Sequence, residues 1–322
     1  MMIYNKFENS KARLSRVSTW FYGSVCVWKK PIRSIFDPLR IAHRTALETG
    51  DIDFAMLNSN IYCWESFDIC SLPKVEKIIS GFSNRMEVYG QDSVLMMVKP
   101  LWQMVHNFMG KARENPKVLT GKIMEQEYTI QYARENNKTL LVWLHFYQLV
   151  LAYMFGDYKS AEVHASACRV AQSNPFGSSD CVLLVFYDGL VALANQKKSH
   201  SQKHQVAKRC IKVFKTWAKE CPENFLGKLY FLEAELAAAT GDHQKAHAKY
   251  TSAISLSREG GYIMQHALAN ERAGKYFLAH GDTELARSYL KESLTIYRKW
   301  GGRTKFTHLK QELPSLLAGV EA

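Results

Sequence analysis

One short motif occurs four times in this 322-residue sequence: Gly-Asp, three further residues, and then Ala. By random placement, a chain of this composition would contain roughly one Gly-Asp pair or fewer. The four copies are Gly50, Asp51 and Ala55; Gly156, Asp157 and Ala161; Gly241, Asp242 and Ala246; and Gly281, Asp282 and Ala286. This recurrence indicates a fold that is built from repeated units.

The residues of the motif suit a turn between two helices. Glycine adopts the left-handed backbone conformation that ends many helices. The aspartate after it can accept hydrogen bonds from the free amides of the next helix, and its charge suits the positive end of that helix. The alanine, one turn later, is small enough to let two helices approach closely. Each copy therefore predicts a helix–turn–helix elbow.

The residues that follow the last three elbows also agree with one another. Small or apolar residues lie four and seven positions after each alanine, an offset that places them on one helical face. They are Ala165 and Cys168, Tyr250 and Ala253, and Leu290 and Ser293. This spacing is typical of tetratricopeptide repeats, although the unit here is nearer to about 40 residues than to 34.

The same rhythm continues between the elbows, which predicts helix pairs at 51–89, 91–135, 138–173, 180–220, 224–259 and 262–300. Residues 12–49 would form an entry pair that is broken near Pro31 and Pro38, and 196–205 would form a polar surface loop. With only 8 prolines and 18 glycines, the chain has too few turn signals for an all-β fold.

We therefore expect an all-α fold, a tetratricopeptide-like α-solenoid in which antiparallel helix pairs form a right-handed superhelix with a concave inner surface. Residues 1–15 would be a tail or the start of the entry helix, 16–302 the helical repeat, and 303–322 a closing helix and tail. The sequence contains no apolar run of the roughly 18 residues that a membrane span needs, and no secretory signal, so a cytoplasmic location is expected.

Motifs along the whole chain resemble the helical repeat region of very large signalling proteins. These are the predicted ATPases of the signal-transduction NTPase class, often joined to protein-kinase-like, GAF and histidine kinase domains. The resemblance is densest between residues 269 and 317. It is carried by Asn270-Glu271-Arg272-Ala273, Tyr276-Phe277-Leu278-Ala279, Trp300-Gly301 and Pro314-Ser315-Leu316-Leu317, and earlier by Trp28-Lys29-Lys30-Pro31, Phe186-Tyr187-Asp188-Gly189 and Phe225-Leu226-Gly227-Lys228.

The resemblance implies a sensing or scaffolding arm that lies between an ATPase module and downstream output domains. Its partner would be a signalling ATPase, a kinase or a peptide segment. The ATPase, GAF and kinase domains themselves have no counterpart in these 322 residues. The chain is thus expected to be either a fragment of a longer enzyme or a stand-alone arm that acts in trans.

Motifs that would carry chemistry are incomplete. Gly110-Lys111, Gly121-Lys122 and Gly227-Lys228 lack the upstream glycine and the following hydroxyl of a phosphate-binding loop. The pairs His200/His204 and His243/His247 have helical spacing for zinc but no third ligand nearby. The seven cysteines are scattered, without a Cys-x-x-Cys motif. We expect no catalytic residue, no metal site and no cofactor.

One stretch concentrates the positive charge, in a chain whose formal net charge is +12. No acidic residue occurs between Asp188 and Glu220. The candidate patch for an acidic partner comprises Lys197, Lys198, Lys203, Lys208, Arg209, Lys212 and Lys215. Because Lys208, Lys212 and Lys215 share a helical face, the stretch could dock an acidic protein segment or phosphates. Two alternatives stay open: a solvated outer face, and a helical-repeat protein that binds nucleic acid.

Overall fold

A computed structural model describes residues 10–171, 181–194 and 200–317 of the chain. These residues form fifteen α-helices and no strand, which confirms the expected all-α fold for the part described. The helices are α1 Ser10–Trp20, α2 Phe36–Glu48, α3 Ile52–Ile69, α4 Leu72–Val88, α5 Asp92–Phe108, α6 Gln126–Asn136, α7 Lys138–Met154, α8 Tyr158–Ala171, α9 Cys181–Ala194, α10 His200–Glu220, α11 Pro222–Ala239, α12 His243–Gly260, α13 Ile263–Ala279, α14 Thr283–Trp300 and α15 Arg303–Glu312.

The four Gly-Asp motifs lie at turns between helices. Their glycines have φ values of 75°, 73°, 77° and 85°, in the left-handed region that costs other residues energy. Three of the aspartates cap the helix that follows: the side chains of Asp157, Asp242 and Asp282 accept the backbone amides of residues 160, 245 and 285. Asp51 differs from the expectation, because its side chain caps nothing and instead pairs with Arg16 at 2.7 Å.

Most consecutive helices pack side by side, and the contacts between α12 and α13 show an antiparallel pair. His243, at the start of α12, contacts Tyr276 near the end of α13, while Ser257 near the end of α12 accepts a hydrogen bond from Gln265 near the start of α13. Small residues permit this closeness. The four elbow alanines are fully buried, and a Cβ built on Gly274 of α13 would lie 2.6 Å from Cγ of Leu290 in α14.

The first helices of successive pairs form a closed circuit of contacts. Helix α3 packs against α5, α5 against α7, α7 against α9, α9 against α11, and α11 against α13; α13 then returns to α3. The helices α4, α6, α8, α10, α12 and α14 alternate with these along the chain. The two ends of the repeat array therefore meet.

Side chains fill the space that the circuit encloses. Helices α7 and α9 are buried around most of their circumference, as expected for helices whose mean composition is strongly apolar. Aromatic rings cross between them, with Tyr187 of α9 lying 6.2 Å from Phe146 and 5.7 Å from Tyr153 between ring centroids. The inner side of the described helices is thus a packed core, and the expected concave binding surface is not seen there.

Polar contacts hold the meeting ends together. The buried ammonium of Lys228 in α11 lies 2.8 Å from a carboxylate oxygen of Asp68 in α3. The Asn224 side chain donates to the carbonyls of Val27 and Lys30, 2.6 and 2.8 Å away. These partners are separated by 160 to 197 residues in sequence.

Two predicted boundaries need correction. Pro38 does not break the entry pair: it is the third residue of α2, where its missing amide is tolerated. Helix α10 already begins at His200, so the loop predicted to extend to residue 205 is shorter. The closing helix α15, Arg303–Glu312, lies within the segment predicted to form a closing helix and tail.

Candidate functional site

Helix α10 separates its apolar and basic residues onto two faces. Ala207, Cys210, Phe214 and Ala218 are buried against neighbouring helices. The exposed residues of the same stretch are mostly basic: Lys208, Arg209, Lys212, Lys215 and Lys219. Because this alternation follows the helical period, packing of the apolar face fixes the direction of the basic face.

Three of these lysines line a groove on the outside of the molecule. Lys208, Lys212 and Lys215 form one wall, and Lys245 of α12 lies on the opposite side of a cleft of about 390 Å³. The floor is formed by the end of α11, including Leu236 and Thr240. Amines from two helices, 30 residues or more apart in sequence, thus converge on one surface.

Acidic residues neutralise only part of this groove. The Glu233 carboxylate lies 3.4 Å from Nζ of Lys215 and 2.6 Å from Nζ of Lys249. Asp242 is the other acidic residue of the lining, and one of its carboxylate oxygens accepts a hydrogen bond from the Lys245 amide as the cap of α12. Within the described part of the chain, Lys208 and Lys212 form no ion pair. An excess of positive charge therefore remains along the α10 wall.

The other members of the predicted patch have different fates. Lys197 and Lys198 lie outside the described residues, and the position of the Lys203 side chain is likewise not described. Arg209 does not line the lysine groove, because its guanidinium donates a hydrogen bond of 3.2 Å to Asp188 in α9. The structure thus brings together three of the seven predicted basic residues and separates a fourth from them.

Other predicted features show ordinary packing contacts. His243 hydrogen-bonds to Tyr276, and the ring of His247 packs edge-on against Phe277. Among the described residues, no group of three His, Cys, Asp or Glu side chains could hold a metal ion. No described helix is long and apolar enough to cross a bilayer.

Charged residues are also buried in the core, and sequence reasoning did not single out their role. Glu235 accepts two hydrogen bonds from Arg272 and one from Tyr250, at 2.7 to 2.9 Å. Burial alone would lower the pKa of Arg272, but the charge of Glu235, its hydrogen bond to Arg272 and the nearby Tyr153 and Tyr158 together outweigh burial and raise that pKa. This pair joins α11 to α13.

Lys245 is the groove residue that sequence reasoning missed. It lies in the first turn of α12, three residues after the elbow aspartate Asp242, and nothing local distinguishes it from other exposed lysines. Only the comparison of successive helix pairs could have indicated that Lys245 lies near the α10 lysines. Stacking of neighbouring helix pairs predicts that the second helices α10 and α12 lie on the same side of the array.

Comparison with known proteins gives limited similarity. No family model matches the chain. A stretch of 113 residues, 35% of this chain, is 31% identical to "Hybrid signal transduction histidine kinase G" of Dictyostelium discoideum. That stretch spans 3% of the histidine kinase, which is a much longer protein than this chain.

Proposed function

We propose that this protein is a non-catalytic scaffold or sensing arm of a signal-transduction system, and that it docks an acidic segment of a partner protein along the α10–α12 groove. The observation that carries the proposal is the convergence of Lys208, Lys212, Lys215 and Lys245 on one cleft with only partial neutralisation. Such a surface attracts carboxylates over a distance and repels cationic partners, which therefore bind more weakly.

The repeat architecture supports a role in binding. We infer that the helix pairs form a tetratricopeptide-like, right-handed superhelix, wound so tightly that α13 meets α3. Because the inside of this circuit is packed, the proposed docking surface is on the outer helices. Lysine chains projecting from adjacent outer helices can contact successive side chains of an extended or helical peptide.

The signalling context rests on the partial similarity to a hybrid histidine kinase. On this proposal the catalytic step belongs to the partner, an ATPase or a kinase, and the scaffold works in the cytoplasm. The proposal includes no cofactor and no metal. The alternative is that the chain is a segment of a larger ATPase or histidine kinase. In that case the groove would bind the catalytic domains of the same enzyme.

A binding experiment with a glutamate-rich peptide tests the docking proposal. The labelled peptide, about 15 residues long, is titrated with the protein and followed by fluorescence anisotropy. We expect the triple variant Lys208→Gln, Lys212→Gln, Lys215→Gln to bind at least tenfold more weakly than the native chain, since each exposed pair contributes up to about 1 kcal/mol. The matched control changes three other exposed lysines, Lys159, Lys291 and Lys299, to Gln.

Equal affinities of the native chain and the groove variant would overturn the proposal. A single-stranded RNA oligonucleotide serves as the competing probe. Tighter binding of RNA than of the peptide, with affinity that falls steeply as salt rises, would replace the acidic protein partner by a nucleic acid.

A further inference from the structure

We propose that a cavity between α8, α9 and α10 binds a small organic acid, a molecule with one carboxylate and an apolar body of roughly ten non-hydrogen atoms. The cavity has a volume of about 260 Å³. The cavity is partly open to solvent, so a ligand can enter it without unfolding the helices. An apolar cavity of about 150 Å³ already accommodates benzene, and this space is therefore large enough for such a molecule.

The walls of the cavity are apolar. Leu149, Ala165, Leu184, Val185 and Val213 line it, together with the thiols of Cys168 and Cys210. Burial raises the pKa of both thiols to about 12, so they stay protonated and behave as soft apolar groups at neutral pH. This lining selects a hydrocarbon or aromatic body over a polar one.

One edge of the cavity carries a cluster of charged groups. Asp188 is 7% exposed and accepts from Arg169 through one carboxylate oxygen and from Arg209 through the other. Arg169 also donates to Glu162 at 2.8 Å. Because both oxygens of Asp188 already have arginine partners, the carboxylate has little capacity to accept from a cationic ligand.

Arg209 provides the recognition group for an acid. Its side chain is 62% exposed, and among the described residues its hydrogen bond to Asp188 uses one of the five N–H donors of a guanidinium. Asp188 holds this guanidinium at the edge of an apolar cavity, so that its remaining donors can bind a carboxylate in the forked geometry that arginine favours. An uncharged or cationic ligand of the same shape would lose that contact.

Three ligands that differ only at the head group test this proposal by isothermal titration calorimetry: octanoate, 1-octanol and octylamine. We expect octanoate to bind with one site per chain, about tenfold more tightly than octanol, and octylamine to bind most weakly. In the Arg209→Gln variant, the affinity for octanoate should fall to that for octanol, while the affinity for octanol stays unchanged. Because the Arg209 side chain is mostly exposed, we expect the Arg209→Gln variant to fold like the native chain.

A second pair of variants locates the ligand. Val185→Phe fills the cavity and should weaken octanoate and octanol alike, whereas Val170→Phe changes a residue of α8 that is 86% exposed and should have no effect. Circular dichroism confirms that each variant is folded. No heat of octanoate binding, equal affinities for octanoate and octylamine, or equal effects of the two valine variants would each overturn the proposal.

The two proposals in this protein fail independently. The triple lysine variant of the groove should bind octanoate as the native chain does, since Lys208, Lys212 and Lys215 line a different cleft. Conversely, octanoate at saturation should leave peptide binding unchanged.

Discussion

A charge pair between Glu235 and Arg272 is buried between α11 and α13. The Glu235 side chain is 3% exposed and that of Arg272 is 20% exposed. Two nitrogens of the guanidinium reach the two carboxylate oxygens, a bidentate arrangement that fixes both side chains. A pair of this kind contributes little net energy relative to apolar residues, but breaking it leaves a charge buried without its partner.

We predict that Glu235→Gln lowers the free energy of unfolding by about 3–5 kcal/mol, because Arg272 loses the only carboxylate it contacts among the described residues. Urea denaturation followed by circular dichroism measures the change. The matched control is Glu284→Gln, which breaks an exposed pair with Arg287 and should cost less than about 1 kcal/mol. Similar losses in the two variants would contradict the prediction.

A second feature at this scale is the contact between His145 of α7 and His164 of α8, whose Nδ1 atoms lie 3.1 Å apart. Burial, together with the neighbouring His145, lowers the pKa of His164 from 6.5 to about 4, against an opposing effect of Asp157. The unfolded chain therefore binds a proton at this position more readily than the folded chain does. Its contribution to stability is complete above pH 6.5 and is lost as the pH falls toward 4.

We expect the native protein to lose more stability than the His164→Gln variant between pH 8 and pH 5, by about 1–2 kcal/mol. Urea midpoints measured at both pH values test this. The values at pH 8 serve as the internal reference, because the imidazole is neutral there in both states. Parallel losses in the two proteins would show that His164 is not a source of acid sensitivity.

Among the helices and turns, glycines have two different structural roles. At the elbows they permit a left-handed backbone, whereas Gly274 lies inside α13 at the crossing with α14. A Cβ at residue 274 would meet Leu290 at 2.6 Å and the carbonyl oxygen of Ala286 at 3.1 Å. The second contact is with backbone, which cannot move without shifting the whole helix. Gly81, in the exposed face of α4, has no atom within 4 Å of the corresponding position.

We predict opposite effects for two glycine-to-alanine substitutions within helices. Gly81→Ala should stabilise the protein by about 0.5–1 kcal/mol, since alanine loses less backbone entropy in a helix. Gly274→Ala should destabilise it despite the same gain in propensity, because overpacking typically costs about 1–3 kcal/mol. Thermal unfolding of both variants decides the matter. A stabilised Gly274→Ala protein would mean that α13 and α14 separate easily.

For the whole molecule, the closed contact circuit changes how the repeats depend on one another. In an open solenoid each repeat contacts only its neighbours, so unfolding can begin at either end. Here α3 packs against α13, and the segment before α2 is bound to the start of α11. Asn224 makes three of these bonds: it donates to the carbonyls of Val27 and Lys30 and accepts from the amide of Ile32. It also accepts from the hydroxyl of Tyr262.

We predict that Asn224→Ala lowers the free energy of unfolding by about 2–4 kcal/mol, because backbone groups around Val27 and Ile32 are left unpaired. Hydrogen exchange followed by mass spectrometry should show faster exchange in residues 26–35, with α14 little changed. That pattern reports local release of one end of the circuit. Uniformly faster exchange along the chain would instead show that the two ends unfold together with everything else.

Much of the local architecture was predictable from sequence. Left-handed glycines, aspartate caps and the period of apolar residues act over a few positions, which is why the helix pairs appear close to their predicted limits. The prediction for Asp51 was wrong in one respect, because a capping aspartate and a salt-bridging aspartate look alike until the position of Arg16 is known. The basic face of α10 was also predictable, since amphipathic spacing depends on one helix alone.

The sequence by itself thus determined the helices, their turns and the position of the lysine-rich stretch. Tertiary structure alone decided that the array closes, that Lys245 joins the α10 lysines, and that Arg209 turns to Asp188 at the edge of a cavity. The physical reason is the range of the interactions. Lys228 and Asp68 are 160 residues apart, and a contact between residues so distant in sequence leaves no mark in a local pattern.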